Sequence, residues 1–321
     1  MRNHKTTSQA IYQQIDRAHK ILLISHRNPD GDTLGSNLAM FNFLTSLGKN
    51  VTSFCADKVP SYLSFLPDSH NITADHRIFT KGYDTVIALD SSNLQLTAAE
   101  YLLQAIPSKF TLINIDHHVS NPSYGDINLV LPQTSSTAEL LHRLFMDWNI
   151  DWNENIATNL ACGVITDTGG LKNPATSYQS LSATSDLVDK GANIHKIMNV
   201  TLNQTSINKL KLWGRALERL TKVEKYNLVY TFITLKDFED CQVNEDASEG
   251  MSNFLHVLKE GEIIMVLREV GDNTIKGSLR TNSNIDLTKI AGLFGGGGHK
   301  KAAGFSLSGK LDYDNNKLRI I

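Results

Sequence analysis

Short apolar runs alternate with longer amphipathic stretches over the first 190 residues. KILLISH (20–26), VTSFCA (51–56), DTVIALD (84–90) and FTLINID (110–116) are brief, apolar and rich in β-branched residues, so each predicts a strand. Between the first two, TLGSNLAMFNFLTSLGK (33–49) is amphipathic and stops at Gly48, as a helix does. STAELLHRLFMDW (136–148), NENIATNLACGVI (153–165) and SYQSLSATSDLVDKG (177–191) read as further helices. Apolar strands separated by helices predict an α/β unit: a parallel sheet with helices on both faces.

The pattern changes after residue 190. A polar, helix-rich connection spans 191–206, and INKLKLWGRALERL (207–220) is strongly amphipathic. NLVYTFITL (227–235), EIIMVLREV (262–270) and TIKGSLRT (274–281) read as strands. SEGMSNFLHVLKEG (248–261) and DLTKIAGLFG (286–295) read as helices, and the chain then runs through GGGG (295–298) into AAGFSLSG (302–309). The expected organisation is an N-terminal domain over 1–190, a helical linker over 191–206 and a smaller α+β domain over 207–321.

Composition narrows the function. The chain has 321 residues, 41% hydrophobic and 20% charged, as an ordinary globular protein has. A net charge of −2 excludes a global basic field for holding long nucleic acid. Residues 1–203 carry 14 Lys/Arg against 18 Asp/Glu, and residues 204–321 carry 17 against 15. The first part is thus suited to cations and the second, mildly, to anions. Cys55, Cys162 and Cys241 are scattered and form no CxxC pair, which points to a reducing compartment. The N-terminal MRNHKTTSQAIYQQ has no long apolar core, and no run reaches the ~20 apolar residues of a membrane helix. The expected location is the cytoplasm, with no membrane partner.

The chemistry gathers at strand ends, where open α/β sheets bind ligands. His26, Asp30 and Asp32 follow the first strand in SHRNPDGDTLGS; Asp90 ends the third; Asp116, His117 and His118 end the fourth; Asp167 follows an apolar segment in GVITDTGG. Singly, each has an ordinary reading: Pro-Asp-Gly makes a turn, and an Asp after a strand caps a helix. Together they form a carboxylate cluster that repels itself unless a cation is present. Imidazole with carboxylate suits Mn, Fe, Co or Zn, and the oxygen-rich set favours Mn. His70, His142, His195 and His256 have no such company.

HRNPDGDTLGS, LDSS, IDHHVSN and TDTGG, in that order, resemble the motifs of the DHH phosphoesterase superfamily, and GSLRT with GGGGHKKAAGF resembles the DHH-associated C-terminal domain of its RecJ-like branch. The likeness covers nearly the whole chain and is closest to the bacterial nanoRNase (oligoribonuclease)/pAp phosphatase group. It implies two Mn2+ ions per chain, with Mg2+ or Co2+ as substitutes. His26, Asp30 and Asp90 would hold the first, and Asp32, Asp90, His117 and Asp167 the second, with Asp90 shared. His118 would face the substrate phosphate and Asp116 would orient its neighbours. The C-terminal domain is expected across a cleft, gripping substrate through Arg280, Gly296, Gly297, Gly298 and His299, with Lys172 adding a charge. Glycines without Cβ let backbone N–H groups approach an anion.

The resemblance implies hydrolysis of short oligonucleotides, dinucleotides or pAp to mononucleotides by a metal-activated water. RNA and DNA both stay open as partners, as does a homodimer. The alternatives are a RecJ-type single-strand exonuclease, a cyclic-dinucleotide phosphodiesterase and a non-catalytic nucleotide-binding regulator. A family II pyrophosphatase lacks GGGGHKKAAGF, and a dinucleotide-binding dehydrogenase is disfavoured because no GxGxxG follows the first strand. One departure is local. Leu171, Lys172 and Asn173 stand where related sequences carry an aromatic residue and an arginine, and Lys lacks the planar fork of Arg.

Overall fold

The run KILLIS forms β1 (Lys20–Ser25), with Ile21 and Leu23 buried on one face of a sheet and Leu22 and Ile24 on the other. Side chains alternate along a strand, so a continuous apolar run is what a doubly covered strand needs. A computed structural model describes residues 2–202, 205–314 and 317–321, and the chain divides into two units, Met1–Gln204 and Thr205–Ile321.

The first unit runs α1 (Arg2–Arg17), β1, α2 (Gly31–Ser46), β2 (Asn50–Phe54), β3 (Ile72–Thr73), β4 (Thr85–Leu89), β5 (Thr111–Asp116), β6 (Ile127–Val130), α3 (Thr137–Asp147), α4 (Glu154–Asp167), α5 (Tyr178–Asp189) and α6 (Ile194–Thr201). All six strands are parallel, in the order β3-β2-β1-β4-β5-β6. The chain moves outward from β1 to β3, then returns to lay β4 on the other side of β1. That reversal opens a crevice at the carboxyl ends of β1 and β4.

One face of the sheet packs against α1 to α4 through residues such as Leu34, Leu38, Leu141 and Leu160. The other is covered by short 3-10 helices that supply Ile78, Phe79 and Leu103 rather than by α-helices. The N-terminal helix α1 is an addition to the expected elements. It carries few apolar residues, yet Ile11 and Ile15 are fully buried. Residues 203 and 204 of the expected linker lie outside the described residues; before them, α6 packs Ile197 into the first unit's core.

The second unit contains α7 (Ile207–Glu218), β7 (Thr221–Val223), β8 (Leu228–Ile233), α8 (Leu235–Cys241), α9 (Met251–Leu255), β9 (Ile263–Val270), β10 (Thr274–Arg280), α10 (Leu287–Gly292), β11 (Gly297–His299), β12 (Ala302–Ser308), β13 (Leu311–Asp314) and β14 (Lys317–Ile320). Its main sheet has the order β11-β12-β10-β9-β8-β7, with only β8 and β9 parallel. The expected helix over 248–261 is reduced to α9, because a 3-10 turn ends at Ser248 and Gly250 adopts φ +86°. The glycine run is no free linker: Gly297 and Gly298 are paired to β12 as an edge strand. Cys55, Cys162 and Cys241 are buried and unpaired, and no helix among the described residues is long and apolar enough to cross a membrane.

Candidate metal centre

Helix α2 begins after a five-residue turn beyond β1. Asp30 is its N-cap, accepting from Thr33 N at 3.0 Å. Asp32, in the first turn, is 1% exposed and is held by a second helix start: Oδ2 accepts from Thr137 N at 2.7 Å and Oδ1 from Ala138 N at 2.8 Å. The unpaired N–H groups at the beginning of α3 favour a carboxylate there. Helix α4 crosses close by because Gly163 has no side chain; a Cβ there would stand 2.5 Å from both Ala138 Cβ and Asp32 Oδ1. That approach brings Asp167, at the end of α4, to the same place.

Asp90 follows β4 with φ +54°, a left-handed conformation that is costly outside glycine. Its N–H donates to Ile115 O at 3.1 Å, which ties it to the end of β5. Its carboxylate is buried and accepts from the Thr33 hydroxyl at 2.8 Å and the Thr137 hydroxyl at 3.1 Å. His26 Nε2 lies 3.6 Å from Asp90 Oδ2, and His117 Nε2 lies 3.7 Å from Asp90 Oδ1. Asp90 therefore belongs to the donor set of His26 and Asp30 and touches a second through His117. Within His26, Asp30 and Asp90, and within Asp32, His117 and Asp167, the ligand atoms lie within 4.8 Å of one another. His117 Nε2 is 3.4 Å from Asp167 Oδ2 and 3.9 Å from Asp32 Oδ2.

The electrostatics fit divalent cations. Asp30, Asp32, Asp90 and Asp167 form no ion pair with Lys or Arg among the described residues, and imidazoles are the only bases that meet three of them. Burial and the neighbouring carboxylates push Asp32 well above the usual range, and burial with Asp90 and Asp30 carries Asp167 up to about 8. Burial also opposes ionisation of Asp90, but the imidazoles of His26 and His117 with the Thr33 hydroxyl outweigh it and hold Asp90 below the usual range. Burial would lower His26, yet Asp90 and the Arg27 carbonyl raise it to about 9. Without cations, protons must balance this cluster; a cation would displace them.

His118 stands at the edge, 42% exposed. Its Nδ1 donates to Asp116 Oδ1 at 2.7 Å, and that contact raises its pKa. Asp116 is fully buried; it also accepts from His117 N at 2.8 Å and, through Oδ2, from Asn121 Nδ2 at 2.6 Å. His118 Nδ1 also comes within 3.8 Å of Asp90 Oδ1 and forms a third donor set with Asp90 and His117. With Nδ1 engaged by Asp116, Nε2 is the nitrogen left for a ligand outside the cluster.

Thr33, Thr137 and Asn121, which sequence patterning does not mark, join these groups together. Thr33 lies inside the GDT run and Asn121 inside IDHHVSN, but a hydroxyl or amide gives no periodic signal. Gly169, Gly170 and Leu171 all have positive φ, and Leu171 packs toward the core while Lys172 is exposed.

The remaining expected residues lie in the second unit. Arg280 ends β10 and faces Ala302, and His299 of β11 faces the same Ala302 from the other side. Arg280 and His299 thus share one face, two strand spacings or about 10 Å apart. Gly296, Gly297 and Gly298 run alongside, and Gly296 packs so closely on Gly304 O that a side chain has no room. Asn253 Oδ1 accepts from Arg280 Nε at 2.9 Å, and no carboxylate pairs with Arg280 among the described residues.

A model of the DHH family N-terminal domain matches residues 20–164, and a model of the DHHA1 domain matches residues 225–318. The bifunctional oligoribonuclease and PAP phosphatase NrnA of Thermus thermophilus is 28% identical over 301 residues, covering 94% of this chain and 88% of that protein. The protein of the same name from Bacillus subtilis is 25% identical over 295 residues, covering 89% of each. The crystal structure of an exopolyphosphatase-related protein from Bacteroides fragilis superposes with a TM-score of 0.85 at 28% identity, covering 95% of this chain and 92% of that one.

Proposed function

The chain belongs to the DHH family, and from that premise we propose that it is a metal-dependent phosphohydrolase acting on short oligoribonucleotides and pAp, with mononucleotides as products. The observation that carries the reading is the His26–Asp30–Asp90 donor set beside the Asp32–His117–Asp167 set, with Asp90 Oδ1 3.7 Å from His117 Nε2. The names of the Thermus and Bacillus relatives support the substrate class.

His26, Asp30 and Asp90 would hold one cation, and Asp32, Asp90, His117 and Asp167 the other; Mn2+ suits this oxygen-rich set with imidazole, and Mg2+ or Co2+ are substitutes. Bound there, divalent ions would acidify a water and neutralise charge on the phosphorus centre. Thr33 and Thr137 orient the Asp90 carboxylate through their hydroxyls. Asp116 fixes the ring of His118, leaving Nε2 to donate to a phosphate oxygen or to the leaving oxygen. Arg280, His299 and the backbone of Gly296, Gly297 and Gly298 take a substrate phosphate or terminal group, with Asn253 holding the guanidinium in place. Lys172, exposed beyond α4, would offer a point charge to a phosphate.

The test is turnover of purified protein on RNA of two to twenty-four nucleotides, pAp and pyrophosphate, with Mn2+ and with chelator. Cleavage of pAp and of the shortest RNAs in Mn2+ alone is expected. Hydrolysis confined to pyrophosphate, or undiminished by chelator, overturns the reading.

A further inference from the structure

Arg268 of β9 and Lys276 of β10 face each other directly in the antiparallel ladder, and Ser306 of β12 faces Lys276 from the other side. Like charges at facing positions destabilise a sheet unless an anion offsets them. Among the described residues no carboxylate does so. The ion pairs of this unit use Arg215, Arg219 and Lys222 instead. Arg268 donates from Nη1 to Ser248 Oγ at 2.6 Å, but its Nε is buried with no acceptor. A buried donor left without a partner is costly, and such a group calls for an account. Both cations line a surface pocket with Ser278, Ser306, Gly295 and Gly296. Two positive charges, two hydroxyls and glycine backbone are the donor set of an oxyanion site.

Its place in the sheet gives the ligand. Side-chain alternation puts Lys276, Ser278 and Arg280 on one face in successive rows. Arg280 shares its row with Ile264, Ala302 and His299; Ser278 shares the next with Val266, Gly304 and Gly297; Lys276 shares the third with Arg268 and Ser306. Across β10, β12 and β11 the middle row is small, so nothing bulky stands between the two basic rows there. From the first row to the third is four residues of strand, about 13 Å. A stacked strand rising ~3.4 Å per nucleotide crosses that distance in about four nucleotides, and a stretched one in fewer.

We propose that Arg268 and Lys276 form a second phosphate subsite, which takes a backbone phosphate of single strands longer than a dinucleotide. The direction of the strand rests on the reading of Arg280 and His299 as the first grip. The subsite sets how much the protein gains from substrate length, while a dinucleotide held at the first grip does not reach it.

The experiment compares wild type with Lys276→Gln, a change at an exposed residue, and with Arg268→Lys. Binding of a dye-labelled ribohexanucleotide is followed by anisotropy in chelator, and kcat/KM is measured for a ribodinucleotide with Mn2+. Lys276→Gln should weaken hexanucleotide binding about fivefold and lower its log–log salt slope by about 0.7, one phosphate contact on a single strand. Dinucleotide kcat/KM should stay within about twofold. Excess inorganic phosphate should compete with the hexanucleotide only weakly; strong competition would assign the pocket to free phosphate and overturn the strand reading. Unchanged hexanucleotide binding in Lys276→Gln, or equal losses for both lengths, also overturns it. Failure of the first grip shows separately, as an Arg280→Ala variant that keeps full dinucleotide activity. The hexanucleotide comparison still decides the second subsite in that case.

Discussion

Gly163→Ala tests how the metal centre is assembled. The added Cβ would stand 2.5 Å from Ala138 Cβ, 2.5 Å from Asp32 Oδ1 and 3.1 Å from Asp32 Cα. Ordinary contacts between carbons are about 3.5–4.0 Å, so α4 must retreat from α2 and α3 by about 1 Å. Overpacking of this kind costs about 1–3 kcal/mol, and the helix propensity of Ala over Gly returns about 1 kcal/mol. The net loss is about 0–2 kcal/mol, so the variant folds with a melting temperature lowered by a few degrees. Activity should suffer far more. Asp32 and Asp167 belong to the same donor set, and a displacement of about 1 Å in such a constellation costs on the order of 100-fold. Gly214→Ala in α7 is the control: nothing lies within 4 Å of its Cβ, so it should stabilise by about 1 kcal/mol and leave turnover unchanged. The assays are kcat/KM on a ribodinucleotide in Mn2+ and a thermal melt of each variant. Gly163→Ala with kcat/KM within about threefold of wild type would refute the close approach of α4 as a condition of the site.

Three further outcomes follow from the same contacts. His118→Ala should keep both cations, counted by metal analysis, and turn over about 10²–10⁴-fold more slowly, because its Nδ1 is held by Asp116 and its Nε2 is free for substrate; loss of one ion per chain would make it a ligand instead. Arg280→Ala should raise KM for a dinucleotide about 10- to 150-fold with little change in kcat, and should barely affect a small ester such as bis-p-nitrophenyl phosphate; equal losses on both would assign Arg280 to the fold. Burial pushes the Asp237 carboxyl up, but the Arg219 guanidinium with the Thr234 N–H and hydroxyl outweighs it and holds Asp237 down at about 2. Its unfolded value is about 3.9, so its stabilisation is present above about pH 4 and lost as pH falls toward 2. The stability difference between wild type and Asp237→Asn, followed by Trp213 fluorescence in the second unit, should shrink by about 2 kcal/mol between pH 7 and pH 2; a constant difference contradicts the pairing.

The first unit's strands were legible because burial on both faces writes itself as uninterrupted apolar runs, as in KILLIS and TVIAL. β3 and β6 were not, being two and four residues long and flanked by turns. Helix α1 leaves little periodic signal because its buried side rests on few residues, Ile11 and Ile15 among them. The acidic and imidazole residues could be picked out because each follows a strand or a helix end, where the chain leaves the sheet toward the crevice. What joins them could not. Thr33 and Thr137 reach Asp90 from two different helices, and Asp32 is held by backbone N–H groups more than a hundred residues away. Such contacts depend on the crossing of α2, α3 and α4, which one-dimensional pattern does not encode. The facing of Arg268 and Lys276 likewise appears only once the strand register is known.

Under the proposed function, Asp90 lies between two cation positions and serves both. The most direct measurement is bound Mn2+ per chain, with dinucleotide hydrolysis on the same samples, for wild type and Asp90→Ala after stripping and reloading. Wild type should bind two ions per chain, with activity appearing as the second loads. Asp90→Ala should lose at least one ion and all turnover, while its metal-free form melts no lower than metal-free wild type, since a like charge has left the cluster. A wild type fully active with one ion or none, or an Asp90→Ala variant with near-normal Mn2+-dependent activity, would contradict the claim.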